Sequence, residues 1–294
     1  MRPRSERSKD QIKLFDLPPP SKLPTYFKKL TQPFWTENKA KLVARYLYYF
    51  VLITRHGAYI DGFAGPQKPD KPEMWAAKLV LESEPRWLRN FFLFEKDRNQ
   101  YKHLCDLKNS QPPGVNRKIH LYHKDFNSAI ESFLRGNPIG EKEASFCLLD
   151  QRTFECHWST VVELANYKTQ GMKIELFYFL SASWFDRAMY ASKNEGLLRA
   201  FWGREDWEIL RGLKSLDRAV LFCNRIKNEF RYHSVTPWPI FDRKDGGRIM
   251  YHMIHASDHP LAPNLMHRAY HKAVQPEESM EQLRLDFEKW KSSR

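Results

Sequence analysis

Four carboxylates stand at the ends of short apolar runs: Asp61 after Ala58-Tyr59-Ile60, Glu95 after Phe91-Phe92-Leu93-Phe94, Asp125 in His123-Lys124-Asp125-Phe126-Asn127, and Asp150 after Phe146-Cys147-Leu148-Leu149. Such runs read as buried strands, and in a doubly wound sheet ligands sit outside the carboxyl ends of the strands. The first carboxylate opens Asp61-Gly62-Phe63-Ala64-Gly65-Pro66, a turn whose small residues let backbone come close to a ligand. An acid there suits an amino-bearing, positively charged group such as the methionine end of S-adenosylmethionine (SAM). It would repel a pyrophosphate, and the G-x-G-x-x-G fingerprint of dinucleotide sites is absent. Glu95 at the second strand end can accept both ribose hydroxyls, Asp125 after the third can meet an adenine amino group, and Phe126 can pack on the ring. Each acid alone also reads as a helix N-cap or a solvated strand terminus; four in register point to a nucleoside cofactor.

The elements that must position these residues alternate. Strands over Tyr59 to Phe63, Phe91 to Phe94, Ile119 to Tyr122, Phe146 to Leu149 and Ile174 to Phe179 are followed by helices near Trp75 to Leu81, Arg98 to Leu107, Asn127 to Leu134, Ser159 to Tyr167 and Phe185 to Tyr190. Strict alternation implies a mostly parallel sheet covered on both faces, an α/β Rossmann-like architecture. Ahead of it, Val43, Tyr46, Leu47, Phe50 and Val51 are spaced for one face of a helix, with Thr36 as its N-cap. Val235 to Phe241 and Arg248 to Ile254 flank Asp245-Gly246-Gly247, a favourable turn for an antiparallel hairpin. The organisation expected is a basic N-terminal arm over 1–35, a SAM-binding core over 36–183, a helical insertion over 184–232, and a hairpin with helices over 233–294 that completes the core.

The chain carries a net charge of +13. Residues 1–48, the arm and the start of the first helix, hold eleven Lys/Arg against four Asp/Glu, so this stretch supplies over half of that excess. A basic excess favours polyanionic partners such as nucleic acid, although a basic protein without such a partner is compatible with it. Pro18-Pro19-Pro20 excludes regular helix in the lead-in, and no apolar stretch follows it that could act as a signal peptide or membrane span. Cys105, Cys147, Cys156 and Cys223 are far apart and lack C-x-x-C pairing, which fits free thiols in a reducing cytoplasm rather than disulfides or zinc.

Tyr59-Ile60-Asp61-Gly62-Phe63-Ala64-Gly65-Pro66, Phe94-Glu95-Lys96-Asp97, Asp125-Phe126-Asn127 and Leu148-Leu149-Asp150 resemble the three-Cys-motif partner (TcmP) family, a group similar to class I SAM-dependent methyltransferases. The resemblance runs from about Trp35 to Tyr270 and takes in Ile249 to His255 and His259-Pro260. It implies a seven-stranded SAM-type sheet and a genomic partner, a radical-SAM-like protein with three clustered cysteines; lacking that clustering, this chain would be the partner. The cofactor set it implies is Asp61, Gly62, Phe63, Ala64, Gly65, Glu95, Lys96, Asp125 and Phe126, with Asp150, Gln151 and Arg152 on the acceptor side and no metal. The expected activity is methyl transfer to a nucleic acid or nucleotide. The alternative is a non-catalytic nucleic-acid- or protein-binding partner, and the family's genomic setting suggests a component of a mobile-element or antiphage system.

Two departures bear on that choice. Gln67 stands where the family has a second glycine, and Asp150-Gln151-Arg152-Thr153-Phe154-Glu155-Cys156-His157-Trp158 replaces an Asp-Pro-aromatic-Gly segment. Asp150 keeps the first acceptor for an exocyclic amine, Gln151 adds a carbonyl and two donors, and Arg152 either grips a phosphate or pairs with Glu155. Asp150 as a turn cap is the structural alternative. Cys156 and His157 are adjacent in the chain, which seldom aims a thiolate–imidazole pair, so Cys156 reads as packing. His267 and His271 have the i, i+4 spacing of a ligand pair without a third ligand and read as a solvated helix face. In the insertion, Trp184 and Phe201 are expected to be buried, leaving Arg187, Arg204 and Arg211 as substrate contacts.

Overall fold

A computed structural model of the chain describes residues 39–113, 116–192, 194–243 and 246–274. The N-terminal arm, Thr36 and Asp245 lie outside the described residues, as does the side chain of His271.

The expected alternation is present. Strands β1 (Ala58–Asp61), β2 (Asn90–Phe94), β3 (Lys118–Tyr122), β4 (Ser145–Leu149) and β5 (Glu175–Ser181) are separated by helices α2 (Ala76–Glu82), α3 (Arg98–Asn109), α4 (Phe126–Arg135) and α5 (Trp158–Asn166), and α1 (Lys39–Thr54) precedes them. The segment after β5 folds into α6 (Phe185–Ala191), α7 (Glu195–Trp202) and α8 (Ser215–Phe230), and the chain closes with β6 (Ser234–Arg243), β7 (Gly246–Ser257) and α9 (Ala262–Val274). The sheet has seven strands in the order β3-β2-β1-β4-β5-β7-β6. β1 to β5 pair in parallel, while β7 runs antiparallel to both β5 and β6. This is the Rossmann-like, mostly parallel sheet of seven strands with a C-terminal antiparallel hairpin that the sequence implied.

Both faces of the sheet are covered, which is why its central strands are apolar throughout rather than alternating. Ile60, Phe92, Phe94, Cys147 and Leu149 face one core with α4, α5 and the α6–α8 segment, whereas Tyr59, Phe91, Leu93, Phe146 and Leu148 face the other with α1, α2, α3 and α9. Phe201 and Trp202 of α7 and Phe222 of α8 belong to the first core, with Phe201 fully buried; Trp184 is only half-buried, short of the expectation. Arg225 of α8 is buried between the indoles of Trp158 and Trp202, 3.8 and 4.3 Å from their ring centres, and bonds Glu229, so this helix is fastened to the sheet by stacked cation–aromatic contacts as well as by apolar area.

Each parallel strand must be followed by a turn into its helix, and the acids at the strand ends serve that turn. Asp97 caps α3 by accepting from Asn99 and Gln100 N–H groups, both at 2.9 Å, and Asp125 caps α4 by accepting from Ser128 N at 3.2 Å. The helices thereby start at the cleft, with Asp97 and Asp125 satisfying first-turn donors that helix geometry leaves without a partner.

Candidate functional site at the strand ends

After β1 the chain runs outward through β2 and β3, then returns to place β4 on the other side of β1. That reversal opens a crevice between the loops after β1 and β4, the place where open α/β sheets bind ligands. A cavity of about 180 Å³ lies there. Gly62, Phe63, Gly65 and Gln67 line it from the β1 turn, Glu95, Lys96, Asp97 and Gln100 from β2–α3, Lys124, Asp125 and Phe126 from β3–α4, and Asp150, Arg152 and Glu155 from the β4 loop.

Glu95 is the buried carboxylate at its centre. Oε2 accepts from Gly65 N at 3.0 Å and Oε1 from Asp97 N at 2.7 Å, so the β1 and β2 turns are tied through one side chain. A Cβ on Gly65 would come within 2.3 Å of Glu95 Oε2, which explains the glycine. Gln100, with its amide nitrogen turned to Glu95 Oε2 (3.3 Å) and its oxygen to Arg152 Nη2 (3.2 Å), continues the link across the cleft. Gly62 serves the neighbouring wall: a Cβ there would lie 2.5 Å from the Phe126 ring. That ring is buried, tilted against Phe94 at 4.8 Å and edge-on to Phe63 at 6.4 Å. Lys96 Nζ sits 4.0 Å from Asp125 Oδ2 and 3.7 Å from Glu155 Oε1, with about half of its side chain exposed.

Two members of the expected cofactor set do not reach the cavity wall. Asp61 shares a face with Tyr59, and its carboxylate turns inward to accept from Tyr59 Oη at 2.8 Å and Phe63 N at 3.1 Å. Burial pushes its pKa up to about 7 against the opposing pull of those two bonds, and the charges of Asp150 and Glu95 add to the rise. Ala64 is buried and works through its backbone, donating to Phe94 O at 2.9 Å and accepting from Trp75 Nε1 at 2.6 Å. Asp61 and Ala64 therefore hold the turn's shape.

On the acceptor side Asp150 lines the cavity, yet its Oδ1 is held by Lys39 Nζ at 2.6 Å. The ammonium also sits 4.3 Å from the Tyr251 ring centre and 4.8 Å from that of Phe179. Gln151 is fully buried and absent from the cavity wall; its Oε1 accepts from Cys156 N at 2.9 Å and closes the loop from inside. Arg152 lines the cavity with its guanidinium toward Gln100, and it is its backbone N, not its side chain, that bonds Glu155, donating to Oε2 at 2.9 Å. Thr153 Oγ1 accepts from Trp184 Nε1 at 3.1 Å, and Asn127 clasps the far end through Glu155 O and His157 N. Where the resembled family uses proline, this loop is set by side chains from other elements.

Lys39, Gln100 and Lys124 were not singled out by the sequence. Lys39 is 111 residues from Asp150, and nothing local marks the pairing. Gln100 had a faint signal, three positions beyond the N-cap Asp97, where a first-turn side chain faces the strand ends. Cys156 is buried and burial pushes its thiol pKa well up, so it is packing. In the α6–α8 segment Arg204 pairs with Glu229, Arg211 lies 3.7 Å from Glu208 and over Trp207, and Arg187 is exposed. Among the described residues no group of three His, Cys, Asp or Glu is placed to hold a metal, and no helix is long and apolar enough to cross a membrane.

No protein-family model matches the chain, and no curated protein matches its sequence. In overall shape it is similar to a Legionella pneumophila protein of the DUF519 family (10% identity, 83% of this chain and 94% of that chain covered, TM-score 0.45). It is also similar to yhhF of Escherichia coli, a proposed methyltransferase (12% identity, 73% of this chain and 84% of that chain covered, TM-score 0.35).

Proposed function

We propose that this protein binds S-adenosylmethionine in the strand-end cleft and transfers its methyl group to a nucleic acid or nucleotide. The observation that carries the reading is the convergence of Glu95, Asp125, Phe126 and Asp150 from three different strand ends on one cavity at the switch point of the sheet. The donor set fits the cofactor: a carboxylate offers four lone-pair sites, two on Glu95 are used by backbone N–H groups, and release of the long Gln100 contact leaves two for a ribose diol. Phe63 and Phe126 supply apolar ring surface for adenine, and Asp125 Oδ2, 4.0 Å from Lys96, is the acceptor for its amino group. When bound, the cofactor supplies a methyl group on a sulfonium. The chain's part is to hold the acceptor in line and to take its proton; Asp150 has Oδ1 pinned by Lys39 and Oδ2 for the acceptor's N–H.

Titration calorimetry tests the cofactor half. Glu95→Ala is expected to weaken SAM by ten- to a hundred-fold, from roughly 1.5 to 3 kcal/mol for hydrogen bonds to a charged group. No binding to the wild-type protein, or equal binding to the variant, rejects the assignment. Asp150→Asn is expected to keep SAM affinity and lose at least about a hundred-fold in tritiated-methyl transfer to total tRNA, rRNA or DNA, the low end for general-base loss. Full activity in that variant assigns Asp150 to holding Lys39 alone.

The nucleic-acid half is supported by the net charge of +13, by Lys96, Lys124 and Arg152 at the cleft, and by the exposed pair Arg187 and Tyr190 on α6. Tyr190 is 75% exposed, a large apolar face left to solvent where a base can stack. Deleting residues 1–22 is expected to leave SAM binding intact, lower RNA or DNA affinity and flatten its salt dependence, because fewer counterions are released. Gel shifts at several salt concentrations decide it; unchanged affinity and slope remove the arm from the binding surface. The second reading, a binding partner of a radical-SAM-like three-Cys protein without turnover, is favoured by the Lys39–Asp150 pair and by the Glu95–Gln100–Arg152 link, both of which fill the cleft with the chain's own groups.

A further inference from the structure

Lys39 opens α1 and brings its ammonium to the end of β4, where Asp150 Oδ1 takes it at 2.6 Å. The ring of Tyr251 on β7 is centred 4.3 Å from that ammonium and the ring of Phe179 on β5 4.8 Å, with Trp184 edge-on to Tyr251 at 4.8 Å. The lysine side chain is only 11% exposed. Because Asp150 lines the cleft, this enclosed amine lies one hydrogen bond behind the cavity wall. The cations that line the cleft themselves stand differently. Lys96 and Lys124 come from the loops after β2 and β3, and Arg152 offers a guanidinium, which does not give up its proton to become a nucleophile.

An ion pair alone needs only the carboxylate. Aromatic faces around the ammonium add a tolerance for alkyl groups on nitrogen, since an alkylated ammonium keeps its charge and its attraction to the rings. Position along the sheet adds the reagent. The strand ends run β3, β2, β1, β4, β5. With adenine at Asp125 and Phe126 after β3, ribose at Glu95 after β2 and the methionine end at the β1 turn, the next strand end in the row is that of β4, which carries Asp150 and its lysine.

We infer that Lys39 Nζ is itself a methyl acceptor, a self-modification site of the cleft. This rests on the SAM reading and goes beyond it, because the acceptor proposed there is a separate nucleic acid or nucleotide. Nζ gives one proton to Asp150, and its freed lone pair attacks the sulfonium methyl group. The N–C bond forms as the C–S bond breaks, with that bonding pair leaving on S-adenosylhomocysteine and the proton passing from Asp150 to water. Methylated Lys39 stays cationic between the rings and has one N–H fewer for Asp150.

Mass spectrometry of peptides from the full chain, incubated with SAM and no other acceptor, tests the modification. A methyl group is expected on Lys39 at least about ten-fold above any other lysine, at a first-order rate independent of protein concentration, because the amine and the cleft share one chain. Lys39→Arg, which keeps the cation, is expected to lose it. A second readout needs no turnover: calorimetry with sinefungin, whose protonated amine stands where SAM carries its sulfonium methyl, against S-adenosylhomocysteine, which is neutral there. Lys39→Met removes a positive charge beside that position, so it is expected to favour sinefungin by at least about five-fold relative to the wild type, a scale set by unit charges several ångströms apart. Lys41→Met, at an exposed position of the same helix, is expected to leave the ratio unchanged. If Lys39→Met melts early, the wild-type peptides decide alone. Binding of both analogues with Lys39 unmethylated, or with a ratio that does not move in folded Lys39→Met, overturns the inference and leaves the SAM reading standing; binding of neither rejects that reading and the inference with it.

Discussion

Replacing Gly65 with valine is expected to weaken S-adenosylmethionine by at least about a hundred-fold, or roughly 2.7 kcal/mol. A Cβ at that position would stand 2.3 Å from Glu95 Oε2 and 2.6 Å from Gln100 Cβ, closer than real Cβ contacts allow. Glu95 cannot move aside at no cost, since it is held by Gly65 N and Asp97 N and lies among buried neighbours. The branched side chain would therefore displace the carboxylate proposed to hold the ribose and fill the space between the β1 turn and α3. Gly212→Ala is the matched control: its φ of +73° has nothing within 4 Å of an added Cβ, so the only cost is the left-handed conformation, about 1 to 2 kcal/mol of stability. The control is expected to melt somewhat earlier and bind SAM normally. Calorimetry with a melting curve on both proteins checks this, and wild-type affinity in Gly65→Val removes Glu95 from the cofactor site.

Much of this architecture was legible because parallel strands buried on two faces leave an unmistakable pattern. Phe91 to Phe94 and Phe146 to Leu149 are apolar without interruption, and only strands covered on both sides tolerate that. Positions of Glu95, Asp125 and Asp150 followed from the same logic, since the residue after such a run must emerge at the cleft edge. Orientation was not legible. Asp61 follows its strand as Glu95 follows its own, yet Asp61 is still paired in the ladder, opposite Leu93 and Leu148, and the period of two turns it to the Tyr59 side. Gln151 misled for a related reason: a polar residue after a strand end is expected to face solvent, but its carbonyl is the partner that Cys156 N needs inside the loop. Lys39 belongs to a third kind, a long-range pairing in which a helix before the sheet delivers a cation to its fourth strand, and no periodicity encodes it.

Asp61→Asn is expected to flatten the dependence of stability on pH. The carboxyl titrates near 7 in the folded chain because burial penalises its charge, against an ordinary value of 3.8. A raised carboxyl pKa means the folded state holds the proton more tightly than the unfolded state between those values, so its stabilising contribution is fully present below about pH 4 and is lost progressively as pH rises to about 7. Above that window the loss is constant. At about 1.4 kcal/mol per unit, the upper bound is on the order of 4 kcal/mol, and relaxation of the site lowers it. Asparagine can keep the Phe63 N–H bond through its carbonyl and donate to the Tyr59 hydroxyl in place of accepting from it, and it carries no charge at any pH. The variant should gain on the wild type between pH 5 and pH 8, read as the change in urea midpoint at each pH. The same charge links to ligand: a cationic cofactor favours ionised Asp61, so SAM affinity should rise with pH through 7 in the wild type and lose that rise in Asp61→Asn. If the midpoints of both proteins move in parallel from pH 5 to pH 8, Asp61 is already ionised in the fold, and the Tyr59 and Phe63 bonds outweigh its burial.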